Sequence, residues 1–166
     1  LCNPKSPSNV GAVMREAGCY GATEVHYTGE RFARAAKFQT DTQNIQSEIL
    51  LLGVNALTCE LPDGVQIVCV ELAEGAIPLP EFNHPEQALY VFGPEDGSVP
   101  QSIVDKADAV VYVPTMGCMN LAATVNVLLY DRLAKSNLEV NHSERVKQSR
   151  DVNNRLVFVG KDKPAA

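Results

Sequence analysis

Short apolar runs that alternate with helical stretches constrain this chain more than any other feature. EVHYTG (24–29), ILLLGV (49–54), VQIVCVEL (65–72), ALYVFG (88–93) and AVVYVP (109–114) are strand-sized and largely apolar. A strand with one wet face alternates apolar and polar residues; one covered on both faces does not. The intervening stretches have helical spacing. In the first, Ser8 or Asn9 stands where a helix cap is needed, and Val10, Val13, Met14 and Ala17 follow at i, i+3, i+4 and i+7. RFARAAKF (31–38) sets Phe32, Ala35 and Ala36 against Arg31, Arg34 and Lys37. A brief helix to about Leu61 is expected, then one at PQSIVDKA (100–107) with Pro at its first turn, and the longest from Asn120 to about Lys135. The pattern predicts an α/β fold: a mostly parallel sheet with helices on both faces.

At 166 residues and 45% hydrophobic content, the chain has material for one substantial core, so a single domain over 1–166 is expected. Within it, 136–166 reads as a polar, basic C-terminal tail, with a final strand at RLVFVG (155–160). Five cysteines without a CxxC pair and three dispersed histidines argue against a disulfide framework and a metal site, and suggest a reducing cytoplasm. No apolar run is long enough for a membrane span, and no secretion signal is expected.

The net charge of −6 argues at first against a nucleic-acid partner. Its distribution does not. From 38 to 105 there is no Lys or Arg but there are eleven Asp and Glu, so the remainder carries an excess of five positive charges. Lys5, Arg15, Arg31, Arg34 and Lys37 cluster near one end of the chain and further basic residues near the other. Folding that joins the ends gives an acidic protein a basic face.

Ligands of α/β sheets bind beyond the carboxyl ends of the strands. SPSNVGAVMR, FGPEDGSVP and VPTMGCMN fall there, whereas GxGxxG, GxxxxGK[ST] and GxSxG are all absent. These loops offer Gly, Pro, two adjacent carboxylates, one arginine and two asparagines, groups that bind and orient rather than form a covalent intermediate.

NVGAVMREAGCYGA, LYVFGPEDGSVP and VYVPTMGCMNLAATVNVLLYDRLAK, in that order, resemble the three motifs of the SpoU-like (TrmH-like) RNA ribose methyltransferases of the SPOUT class. The resemblance runs from about Asn3 to Lys135. It implies a C-terminal deep trefoil knot, which general folding rules would never suggest. It also implies an S-adenosylmethionine site in the knotted loops, a homodimer, and 2′-O-methylation of RNA; with the knot domain and basic tail left to do the recognition, a compact target such as tRNA is expected over rRNA. By position it implies catalytic roles for Asn9, Arg15, Glu95 and Asn120, and cofactor contacts at Leu72, Gly93, Val113, Cys118 and Met119. Lys5, Arg31, Arg34 and Lys37 are the candidate RNA contacts, and no metal is implied.

Cys118 departs from the pattern, standing where the third motif more often has serine; a thiol is a weak hydrogen-bond donor. A non-catalytic RNA-binding protein on the same scaffold is therefore the alternative. Methyl transfer needs alignment more than a nucleophilic side chain, in keeping with the missing Cys or His constellation. Arg15 stands one turn after Gly11, which leaves no bulk beneath it. A guanidinium keeps its charge at neutral pH, so gripping phosphate or a developing alkoxide suits Arg15 better than acting as a base.

Overall fold

The computed structural model describes residues 1–36, 49–136, 142–149, 153 and 155–158. The chain divides into two compact units, Leu1–Ser136 and Asn137–Ala166.

In the first unit, helix α1 (Pro7–Cys19) is followed by β1 (Glu24–Tyr27), α2 (Arg31–Ala36), β2 (Leu50–Gly53), β3 (Gln66–Val70) and β4 (Ile77–Pro78). A 3₁₀ turn (Leu79–Glu81), β5 (Ala88–Phe92), α3 (Gln101–Val104), β6 (Ala109–Tyr112) and α4 (Leu121–Lys135) complete it. All strand pairs are parallel, in a four-stranded sheet ordered β4-β6-β3-β5 and a two-stranded sheet β1-β2. Leu1–Cys2 bridges the two. The Leu1 amine donates to His26 O at 2.6 Å, Thr28 N to Leu1 O at 3.0 Å, and Cys2 N to Phe92 O at 2.9 Å.

Side chains alternate between two cores, as a sheet covered on both faces requires. Val68 and Val70 of β3 join Phe92 and Val111 in the larger core, beneath Val10, Val13, Met14 and Ala17 of α1 and Leu121, Val125 and Leu128 of α4. Ile67 and Cys69, their neighbours in sequence, face the smaller core with Val91, Val99 and Ile103 on the other side. The predicted α/β class with helices on both faces is what forms.

Strand β6 inserts between β3 and β4, which are consecutive in sequence. The connection 71–76 therefore has to pass β6, bringing three chain segments to one end of the sheet.

Several boundaries differ from the sequence expectation. Helix α1 is capped by Ser6, not Ser8 or Asn9; the Ser6 hydroxyl accepts from Asn9 N and Pro7 takes the first helical position. No helix forms before Leu61, where Glu60 has φ 57, a left-handed backbone that ends helical geometry. Helix α3 is a single turn. Positions 37 and 38 of the second predicted helix lie outside the described residues.

In the second unit, α5 (His142–Ser149) carries an ion pair between Lys147 and Glu144 at 3.8 Å. Residues 155–158 are not a strand, and the rest of the one predicted there lies outside the described residues.

Candidate functional site

The carboxyl ends of β3, β5 and β6 open into a cleft of ≈ 490 Å³. Leu72, Gly93, Val113, Cys118 and Met119, the expected cofactor contacts, all line it, as does Glu95. The first turn of α4 adds Leu121 and Thr124.

Gly93 is closely packed. A Cβ there would stand 3.0 Å from Val99 N, 3.1 Å from Ser98 C and 3.3 Å from Glu71 Oε2. The chain turns back so tightly after β5 that a side chain there would have to push back the loop and the Glu71 carboxylate.

Glu95 joins two of the sequence motifs. Its carboxylate accepts from Lys5 N at 2.8 Å, Ser6 N at 3.0 Å and Asn9 Nδ2 at 3.0 Å. Burial alone would raise its pKa, but these hydrogen bonds from Asn9, Lys5 and Ser6 outweigh it and hold the group below the ordinary carboxylate range. Glu95 is thus ionised at neutral pH and clamps the entry to α1 against the cleft loop.

Asn120 caps α4: its Oδ1 accepts from Ala123 N at 2.7 Å, and its carbonyl from Thr124 Oγ1 at 2.9 Å. Capping occupies one end of the amide and leaves Nδ2 without a protein partner among the described residues. Cys118 is exposed on the same loop, and Thr115 Oγ1 donates to Gly117 O at 2.7 Å to shape the turn before it.

Arg15 lies elsewhere. It is exposed on α1, is not among the residues lining the cleft, and makes no hydrogen bond or ion pair among the described residues. The expected RNA contacts have acidic partners. Arg31 forks onto Asp96 with two hydrogen bonds of 2.8 Å, Lys5 Nζ stands 3.6 Å from the same carboxylate, and Arg34 pairs with Glu30. Lys37 lies outside the described residues.

Sequence reasoning missed Glu71. It directly follows β3, lines the cleft, and accepts from Leu72 N at 2.9 Å and Val99 N at 2.8 Å. The signal was present, since a carboxylate ending VQIVCVEL sits at a strand's carboxyl end, but no motif marks it.

The walls fit the implied cofactor. The volume suits a ligand of nucleoside size, Leu72, Val113 and Met119 give apolar surface, and the charged lining residues Glu71 and Glu95 suit a cation. Among the described residues, no group of His, Cys, Asp and Glu could hold a metal ion, and no helix is long and apolar enough to cross a membrane.

The chain is 24% identical over 131 residues to the tRNA (guanosine(18)-2′-O)-methyltransferase of Escherichia coli strain K12, a match covering 75% of this chain and 57% of that protein. The SpoU methyltransferase AviRb of Streptomyces viridochromogenes, solved in complex with AdoMet, superposes with a TM-score of 0.63 at 18% identity, covering 80% of this chain and 55% of that one. A protein solved in relation to 2-OH methylation of C/U34 on tRNA gives a TM-score of 0.66 at 23% identity, over 80% of this chain and 86% of that one. Residues 1–130 match the SpoU rRNA Methylase family over most of the chain, and the protein belongs to that family.

Proposed function

We propose that this chain methylates the ribose 2′-hydroxyl of an RNA, with tRNA as the substrate class and S-adenosylmethionine as donor. The observation that carries the reading is the convergence of Leu72, Gly93, Val113, Cys118 and Met119 on one cleft, beside the Asn9–Glu95 clamp. Bound there, the cofactor supplies a methyl group made electrophilic by its sulfonium. The protein's part is alignment. Backbone at Gly93 and the loop 113–119 holds the donor, Glu95 fixes the start of α1, and the free Nδ2 of Asn120 is available to orient a substrate oxygen. The trefoil knot belongs to this proposal too; the insertion of β6 between β3 and β4 supports it.

Arg15 enters as the donor fork for phosphate or alkoxide. It lies outside its own cleft, so the proposal includes a second copy of the chain against the outer face of α4, where Val127, Tyr130 and Leu133 are exposed. Helix α1 reaches that face, since Tyr20 beyond its end donates to Asn126 Oδ1 at 2.8 Å. All five cysteines are free, which suits a reducing cytoplasm.

The test is transfer of a radiolabelled methyl from S-adenosylmethionine to tRNA from cells lacking the gene, followed by mapping of 2′-O-methyl groups. Label at one ribose, from a preparation dimeric by light scattering, is expected. Absence of both transfer and cofactor binding would favour the non-catalytic alternative.

A further inference from the structure

We propose that Glu71 makes the cleft select a cationic sulfonium nucleoside over the neutral thioether that remains after transfer. This rests on the adenosylmethionine reading of the same cleft. The two ligands share adenosine and the amino-acid arm and differ by one positive charge at sulfur. Apolar walls at Leu72, Val113 and Met119 meet the shared parts and cannot tell the ligands apart. Discrimination falls to charge.

Among the described residues, the charged side chains lining the cleft are Glu71 and Glu95, and no Lys, Arg or His lines it. Glu95 already serves three donors from the α1 segment. Glu71 receives only two neutral backbone N–H groups, one on each oxygen, and no ion pair neutralises it among the described residues. A carboxylate has about four acceptor sites, so Glu71, which lines the cleft, keeps unused lone pairs. The side chain is also fixed: half-buried, tied to Leu72 N and Val99 N, with its own backbone N donating to Val111 O at 2.9 Å. A held carboxylate in a partly enclosed cleft keeps its field on the ligand better than a mobile surface acid. Attraction to the donor's charge is ground-state binding, so Glu71 lowers KM without raising kcat.

Calorimetry on the full chain tests this with S-adenosylmethionine, S-adenosylhomocysteine and sinefungin, whose amine restores the positive charge without a transferable methyl. The wild type is expected to bind both cationic ligands about tenfold more tightly than S-adenosylhomocysteine, the size of effect one charge gives at a partly exposed site. Glu71→Gln is expected to bring that ratio close to one while S-adenosylhomocysteine affinity stays within about twofold. Parallel weakening of all three ligands would reduce Glu71 to a backbone brace and overturn the proposal. So would a wild type that favours the neutral ligand. A wild type that binds none of the three removes the cofactor reading itself. If Glu71→Gln loses its thermal unfolding transition, Glu71→Asp decides: it keeps the charge, so a retained preference supports the proposal and parallel loss of all three affinities overturns it.

Discussion

Two polar clusters tie loops to this scaffold, and they are built oppositely. At the cleft, Glu95 and Glu71 hold backbone N–H groups of neighbouring loops from exposed or half-buried positions. Away from it, a side-chain network locks the connection before β5 onto the last turns of α4. His84 meets Tyr90 Oη at 2.6 Å and Asp131 Oδ2 at 2.9 Å, while Arg132 donates to Tyr90 Oη at 2.8 Å and to Pro85 O at 2.7 Å. Lys135 donates to Leu79 O at 2.6 Å and pairs with Asp131 at 2.7 Å. The cleft carboxylates hold loop backbone at an open surface; the latch satisfies partly buried side chains on one another and on loop carbonyls. Substitutions at the first are therefore expected to cost activity, and at the second stability.

The largest effect is expected from Glu95→Ala. Losing the clamp frees Lys5, Ser6 and Asn9 from the cleft loop, and a displacement of about an ångström at an aligned site costs roughly 100-fold in rate. Methyl transfer is expected to fall by about that factor while the melting temperature moves less than for any latch variant. A Glu95→Ala protein with near-normal turnover would break the contrast at its functional end.

The latch gives the converse. Arg132 donates to the Tyr90 oxygen, and with the Tyr90 hydroxyl donating to His84 Nδ1 and the Nε2 hydrogen going to Asp131 every one of these contacts is satisfied. That arrangement holds a neutral imidazole. Burial lowers the His84 pKa; Asp131 pulls it back up, and Lys135 and Arg132 push it down. A histidine whose folded pKa lies below its unfolded value of about 6.5 takes up its proton mainly on unfolding, so its stabilisation is intact above that pH and is lost as pH falls through the folded pKa. His84→Phe keeps a ring in place and removes two hydrogen bonds, at a cost on the order of 2 kcal/mol. Thermal melts should show that loss at pH 7 and a shallower decline toward pH 5 than in the wild type, with turnover per folded molecule unchanged. Equal pH slopes in the two proteins would show that His84 is not the titrating group.

The same contrast explains what the sequence could reveal. Val10, Val13, Met14 and Ala17 announced α1, and the apolar runs announced β3, β5 and β6, because burial on two faces imposes a pattern along the chain. The helix expected before Leu61 fails where Glu60 takes φ 57, a left-handed conformation that glutamate rarely adopts and that no pattern in the sequence announces. The residues that converge on the cleft were legible through motif order alone; a glycine hemmed in by Val99 N and Glu71 is invisible until the loop closes over it. The latch left no trace, since His84, Tyr90 and Asp131 are scattered in sequence and their hydrogen bonds have no period. Nor could a count of basic residues anticipate that Arg31 and Arg34 would each find a carboxylate.

Arg31 supplies the smallest and most discriminating test. An arginine gripping an RNA phosphate releases counterions, and removing one such contact lowers the slope of log affinity against log salt by about 0.9. In the free protein the Arg31 fork is taken by Asp96, whose carboxyl it holds below the ordinary range. Binding phosphate would require giving up two good hydrogen bonds at the rim of the cleft loop, adjacent to Glu95. If Arg31 instead serves that loop, Arg31→Ala leaves the salt slope of tRNA binding unchanged and perturbs turnover only mildly, through slackening at Asp96. A slope reduced by about one contact would move Arg31 from the scaffold to the RNA surface. Comparison with Arg15→Ala separates the cases, because Arg15 has no acidic partner among the described residues to surrender and would show its full effect on RNA. Surface cations near the cleft are thus sorted by what they already hold in the free protein.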